Sequence, residues 1–108
     1  MSAPSIGALR DRLTLESPSR ADDGGGGAMV TWTAVADVWG AVRPITGDER
    51  LSADAVTGRV THQVWIRFRG DVVPAMRFRS GARILDIVAV LDGTRRDRLQ
   101  CLCEERHL

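Results

Sequence analysis

Apolar and polar residues alternate along several short stretches of this chain, which is the pattern of half-buried β-strands. The alternation is most regular over residues 60–69. One face of that stretch carries Val60, His62, Val64, Ile66 and Phe68, and the other carries Thr61, Gln63, Trp65, Arg67 and Arg69. Because successive side chains on a strand point to opposite faces, the pattern predicts a strand with one apolar face. A similar alternation over 9–16 predicts an earlier strand with a polar outer surface.

Residues 29–43 also have strand character, but they exceed the length of a typical strand and their alternation changes phase. A bulge or bend near Ala36 and Asp37 would reconcile the two halves. Further strands are predicted, between turn residues, over 76–79, 83–91 and 95–104. Short strands separated by turns predict an all-β fold, either a barrel or a sandwich.

Two segments between these strands lack apolar surface. The first, 18–28, is predicted to be a mobile hairpin loop because its four successive glycines have high conformational entropy. Its centre consists of Asp22, Asp23, Gly24, Gly25, Gly26 and Gly27. The second follows Pro44, which ends a strand, and Thr46 and Glu49 have the spacing of a helix capping box. We expect a short helix there that ends at Gly58 and depends on a partner for its order.

Composition is that of a single soluble domain. The 108 residues suffice for one hydrophobic core, and no apolar run is long enough to span a bilayer. The N-terminus has no secretory-signal pattern, so we expect the protein to stay in the cell that makes it. All 15 basic residues are arginines, yet the net charge is only +1, which argues against nucleic-acid binding as the main task.

Residues capable of catalysis or metal binding do not form a recognisable site. Cys101 and Cys103 share one strand face with Leu99, so we expect core thiols rather than a zinc site or a disulfide. His62 shares a face with apolar residues, which favours a structural role, and His107 lies at the end of the chain. No nucleophile, base and orienting group can be assigned, so we predict a protein that is not an enzyme and has no cofactor.

An aromatic and arginine-rich set is the strongest candidate for a binding surface. It is predicted to face outward and consists of Trp65, Arg67, Arg69, Arg77 and Arg79. This composition occurs at protein interfaces and on platforms for single-stranded nucleic acid. A solvated basic face, an interface between subunits and a nucleic-acid surface are the three interpretations that remain.

One combination of segments identifies a family. Residues 32–47 read WTAVADVWGAVRPITG, preceded by GALRDRL at 7–13 and followed by HQVWIRFR at 62–69 and LQCLCE at 99–104. In the order and spacing of its strand, turn and tryptophan signals, the chain resembles the small head-tail connector proteins of long-tailed bacteriophages and gene transfer agents. That resemblance implies a single domain, 1–108, built as a small antiparallel β-barrel with a short helix or long loop inserted between strands.

The resemblance also implies a function: a ring subunit at the head-tail junction that completes the DNA-filled head, closes or lines its channel and docks the tail. The implied partners are further copies of the chain in a ring of six or twelve, portal or adaptor proteins, tail terminator or tail proteins, and packaged DNA bound non-specifically, with no membrane. The implied location is the junction of a virion or phage-like particle assembled in the bacterial cytoplasm. The implied contact segment consists of Ile45, Thr46, Gly47, Asp48, Glu49, Arg50, Leu51, Ser52, Ala53 and Asp54. A small β-barrel that binds single-stranded nucleic acid or oligonucleotides is the alternative.

Overall fold

The computed structural model describes residues 4–22, 24–45, 60–91 and 97–106, and the fold is built from six strands. A 3-10 turn, Ile6–Ala8, precedes them. The strands are β1 (Asp11–Asp22), β2 (Ala28–Pro44), β3 (His62–Arg67), β4 (Arg77–Ser80), β5 (Arg83–Leu91) and β6 (Arg98–Arg106). No α-helix occurs in these ranges. The predicted helix after Pro44 and His107 lie outside the described residues.

All neighbouring strands pair antiparallel, and their order around the sheet is β1-β2-β3-β6-β5-β4. A short ladder between Thr14–Glu16 of β1 and Arg77–Arg79 of β4 closes the sheet into a barrel. The prediction of a small antiparallel β-barrel is therefore confirmed. Closure removes free strand edges from the body of the molecule.

The core fills this closed sheet. Its buried members include Leu13 and Leu15 from β1, Phe78 from β4, and Cys101 and Cys103 from β6. Gly40 lies where β2 crosses this core, and an added Cβ atom would stand 2.8 Å from Leu13 Cδ1 and 2.9 Å from the Trp65 carbonyl oxygen. Close approach of β2 to its neighbours therefore requires glycine at this position.

Strands β1 and β2 extend beyond the barrel as a two-stranded hairpin, here called the arm, formed by residues 16–22 and 28–35. The pairing passes from Leu15 with Ala36 to Glu16 with Ala34, so Val35 is the extra residue of a bulge. The sequence predicts this bulge near Ala36 and Asp37, which is one or two residues from its position in the structure. The predicted loop over 18–28 is wrong at its ends, because β1 continues to Asp22 and β2 resumes at Ala28. Cross-strand pairing orders the arm although most of its described side chains are exposed.

Candidate interaction surfaces

The most prominent exposed aromatic side chain is Trp39, on the outer face of β2. It is 52% exposed and lies opposite Arg12 of β1, whose guanidinium carbon is 5.2 Å from the centre of the indole ring. Arg67 and Arg69 border the same region, and a cleft of about 220 Å³ separates them from residues 37–39. We call Arg12, Trp39, Arg67 and Arg69 the tryptophan face. Its combination of indole and guanidinium groups is typical of the energetically important centres of protein interfaces.

Two carboxylates moderate the charge of this face. Arg12 Nη2 donates to Asp37 Oδ2 at 3.3 Å, and the Thr14 hydroxyl donates to Asp37 Oδ1 at 3.0 Å. These hydrogen bonds, that of Thr14 foremost, hold the pKa of Asp37 below its ordinary value. Asp71 accepts two hydrogen bonds from Arg69, which lower the pKa of Asp71 and raise that of Arg69.

Arg67 differs from these arginines. It is exposed, and it makes no ion pair with any residue that the structure describes. Its register partner across the ladder is another arginine, Arg98, which is buried and paired with Asp97 at 3.0 Å. The Arg67 guanidinium is therefore available to an anionic group on a binding partner.

A second surface lies on the outer side of β5 and β6. A groove of about 410 Å³ has Met76 and Ile87 in its lining, and Trp32 reaches it from the arm. Two carboxylates, Asp86 and Glu104, and one guanidinium, Arg106, also line it. Arg106 pairs with Asp86 at 2.8 Å. We call this the acidic groove.

The arm presents the third surface. Met29 is 61% exposed, Val30 44% and Val35 42%. Beyond Glu16, the described ladders pair the arm's strands only with each other. A two-stranded ribbon with apolar side chains and unpaired edges is suited to contact with another chain.

The five residues predicted to form one outward face do not form one exposed surface. Trp65 points away from the barrel interior, as the alternation predicts, but the N-terminal segment covers it: the ring packs with Leu9 and Ala41 and is only 2% exposed. Its Nε1 donates to Gln63 Oε1 at 2.8 Å. The expected exposure of Trp65 is therefore wrong.

Arg77 is also buried rather than exposed, because its Nε donates to Glu16 Oε1 at 2.7 Å. Arg79 is exposed, and its Nε lies 3.7 Å from Glu16 Oε2. Arg67 and Arg69 border the tryptophan face, so the structure separates the predicted set into two groups on different strands. Trp39 was not among the predicted candidates. The sequence feature that indicates its exposure is the charged residue opposite it on β1, because Arg12 is its cross-strand neighbour.

The remaining candidates have structural surroundings. Cys101 and Cys103 are free and buried, as predicted; burial raises the pKa of the Cys101 thiol to about 12 and that of Cys103 well above its ordinary value. His62 contacts the Thr61 hydroxyl through Nδ1 at 2.9 Å, and its Nε2 lies 3.6 Å from Glu105. Within the described ranges, no group of three or more His, Cys, Asp or Glu side chains is arranged to hold a metal ion. No helix among these residues is long and apolar enough to cross a membrane.

The structure describes only part of the predicted contact segment and of the predicted glycine loop. Ile45 donates its backbone N–H to the Thr61 carbonyl at 3.2 Å and packs beside Val60 and Leu102. Thr46, Gly47 and the rest of the predicted contact segment through Asp54 lie outside the described residues. In the glycine loop, Gly24 and Gly26 have φ of 82° and 85°, which favours glycine at both positions, and Asp23 lies outside the described residues.

The chain is similar to known phage proteins over most of its length. Residues 4–106 match the family described as phage head completion protein. The chain is 33% identical over 107 residues to head completion protein gp7 of Enterobacteria phage HK97, covering 91% of this chain and 93% of that protein. A solution structure of a Shigella flexneri 2a protein superposes with a TM-score of 0.76 at 30% identity, covering 94% of this chain and 96% of the other.

A chain in the virion of a native gene transfer agent particle superposes with a TM-score of 0.64, also at 30% identity, covering 91% of this chain and 96% of that chain. The match to the family extends over nearly the whole chain, from the segment before the 3-10 turn to the last residue of β6. The chain belongs to the phage head completion protein family.

Proposed function

We propose that this protein is a ring subunit of a phage-like head-tail junction, where it completes the DNA-filled head, closes or lines the channel, and docks the tail. The observation that carries the proposal is the family match over residues 4–106, together with a similar chain in a gene transfer agent virion. The role is structural: the protein acts by binding, without turnover or a cofactor.

The connection between β2 and β3 supports a separate role for the inserted segment. Adjacent antiparallel strands need as few as two connecting residues, whereas 14 residues, 46–59, lie between Ile45 and Val60. Both flanking positions are anchored to the barrel, because Val60 is fully buried and Ile45 bonds to Thr61. We propose that 45–58 contacts the channel or a partner protein, with its residues contributed by every copy in the ring.

The partners follow from this position. We propose a ring of six or twelve copies, portal or adaptor proteins on the head side, and tail terminator or tail proteins on the other. Packaged DNA would pass through the channel without sequence-specific contacts, in keeping with a net charge of only +1. The protein would be assembled in the bacterial cytoplasm and reside at the junction of the finished particle.

Replacing 47–57 by a glycine linker tests the proposal. We expect the barrel to unfold at nearly the same temperature, because the sequence of this segment has few large apolar side chains to contribute to a core. Particles made with this variant should lose DNA or fail to accept tails when it replaces the wild-type gene. The control removes two of the four glycines from 24–27, an exposed loop at another place in the chain, and should complement fully.

Two results would contradict the proposal in different ways. A variant that unfolds many degrees lower would show that 47–57 belongs to the folded core. A stable variant that supports full yields of DNA-filled, tailed particles would show that the segment neither closes the channel nor docks a partner.

A further inference from the structure

Three arginines and one tryptophan form a row across four neighbouring strands on the outside of the barrel. Arg12 of β1 lies opposite Trp39 of β2, and Arg67 of β3 lies opposite Arg98 of β6. Trp39 and Arg67 lie one position beyond the end of the β2–β3 ladder, and both line the same cleft. The barrel thus gathers positive charge beside its most prominent exposed indole.

Part of this positive charge is uncompensated. Arg67 and Arg98 are like charges directly opposite each other, which destabilises an antiparallel pair. Arg98 is only 8% exposed; its Nη1 pairs with Asp97 at 3.0 Å, but its buried Nε has no hydrogen-bond partner among the described residues. Arg67 makes no ion pair within the described ranges. The two guanidinium groups therefore have one carboxylate between them, and the exposed one is open to an anion.

The surroundings of the cleft favour a single carboxylate over nucleic acid as that anion. Arg12 already pairs with Asp37 at 3.3 Å, and Arg69 pairs with Asp71 at 2.9 Å. Nucleic acid brings closely spaced phosphates, which these two carboxylates repel. One acidic side chain of a protein needs only Arg67, and it leaves both existing ion pairs in place.

The carboxylates of this chain are largely in use, which argues against a second copy as the source. Six of those that the structure describes pair with an arginine of their own chain: Glu16, Asp37, Asp71, Asp86, Asp97 and Glu105. Asp11 accepts the backbone N–H of Val42 at 3.0 Å. A copy that offered one of these groups would break a contact of its own, so a different protein is the favoured partner.

We infer that the tryptophan face binds a segment of another protein of the junction, and that this segment carries an Asp or Glu side chain next to an apolar one. The carboxylate pairs with Arg67, and the apolar side chain packs on Trp39 in the cleft of about 220 Å³. The indole supplies the anchor, and the charge pair sets the orientation. This inference rests on the proposed function and names the surface and the chemistry of one partner contact.

Zero-length cross-linking in particles tests the contact, because the chain contains no lysine. Arg67→Lys keeps the charge and places the chain's only side-chain amine at the cleft. A water-soluble carbodiimide joins an amine only to a carboxylate in contact with it. Particles made with this variant and the wild type together are treated, and cross-linked peptides are mapped by mass spectrometry. We expect an amide between position 67 and an Asp or Glu of a different particle protein, and none from particles of the wild type alone.

Three further variants specify the surface. Arg20→Lys places the same amine at an exposed position on the arm and should not cross-link to the same carboxylate. Trp39→Ala added to Arg67→Lys should reduce the cross-link by roughly tenfold or more, as removal of an interface anchor does. Arg67→Gln in the purified protein should unfold at the same or a slightly higher urea concentration, because it removes the charge opposite Arg98.

The outcomes separate this inference from the proposed function. Particles that contain Arg67→Lys but give cross-links only within its own chain, or to a second copy, overturn the inferred partner and leave the function standing. A large loss of stability in Arg67→Gln also overturns it, because Arg67 would then have its partner inside the fold. A photo-cross-link from Trp39 to packaged DNA substituted with bromouracil would assign the face to nucleic acid instead. Absence of the wild-type protein from the particles would overturn both the inference and the function.

Discussion

Arg77 of β4 donates a hydrogen bond from its Nε to Glu16 Oε1 of β1 at 2.7 Å, and both side chains are buried. The guanidinium carbon of Arg77 also lies 4.0 Å from the centre of the Trp32 ring on β2. These contacts join three strands at the point where the arm leaves the barrel. The orientation of the arm is therefore coupled to the ladder that closes the sheet.

Removing one partner of this ion pair should destabilise the protein more than removing both partners. Glu16→Leu leaves a buried arginine without its main counter-charge and should lower the free energy of unfolding by about 3–5 kcal/mol. The double variant Glu16→Leu with Arg77→Met buries no charge at this position and should lose much less. Urea unfolding measures both. The control is Arg79→Met, which removes an exposed arginine and should cost less than about 1 kcal/mol. A double variant as unstable as Glu16→Leu alone would show that the unpaired buried charge is not the cause of the loss.

The two outward-facing tryptophans should respond differently to truncation. Trp65→Ala removes a ring that is 2% exposed and packs with Leu9, so it should cost about 3–5 kcal/mol. Trp39→Ala removes a half-exposed ring and should change stability by less than about 1 kcal/mol. Thermal and urea unfolding of the purified variants compare them directly. Equal losses would mean that Trp39 belongs to the folding core and not to a binding surface.

Gly40→Ala should destabilise the barrel although it adds only one methyl group. The new Cβ would lie 2.9 Å from the backbone oxygen of Trp65, and backbone atoms cannot move aside as a side chain can. We expect a loss of about 1–3 kcal/mol in chemical denaturation, as for other overpacked positions. Gly70→Ala is the control, because an added Cβ there has no neighbour within 4 Å. A variant at Gly40 as stable as the one at Gly70 would refute the close approach.

Alkaline unfolding should report on the two core thiols. Burial raises the pKa of Cys101 from 9.0 to about 12, and that of Cys103 also rises. Below pH 9 the thiols are neutral in both states and stability does not depend on them. Above pH 9 the unfolded state loses these protons first, so stability falls, by at most about 1.4 kcal/mol per pH unit for each thiol, until the folded thiols ionise.

The sequence contains neither lysine nor tyrosine, so few other groups titrate between pH 9 and 12. Urea midpoints measured across this range should therefore fall for the wild type and remain nearly level for Cys101→Ala with Cys103→Ala. Parallel curves for the two proteins would assign the loss to other groups.

Nucleic-acid binding should be weak and independent of sequence. Arginine and tryptophan occur together on the tryptophan face, but the net charge of the chain is only +1. Titrations with single-stranded and duplex DNA at two salt concentrations should show low affinity that falls steeply with salt. A sub-micromolar, sequence-selective complex at physiological salt would instead favour the oligonucleotide-binding alternative.

Much of the local structure is predictable from the chain alone. Alternation predicts the strand faces that place Val64 and Ile66 inside the barrel, and the same periodicity buries Cys101 and Cys103 together. Pro44 ends β2 because proline cannot donate to a ladder. The phase change in 29–43 indicates the bulge that the structure places at Val35. These features depend on residues close in sequence, so their signals are present in short windows.

Exposure of the outward-facing residues depends instead on distant parts of the chain. Trp65 and Trp39 both point away from the barrel interior, yet Leu9 and its neighbours cover Trp65 and leave Trp39 in solvent. Arg77 is buried because closure of the barrel brings β4 beside Glu16, 61 residues earlier. Strand periodicity determines the face on which a side chain lies. Only the tertiary structure decides what packs over that face, because the covering residues are distant in sequence and no local periodic pattern predicts that contact.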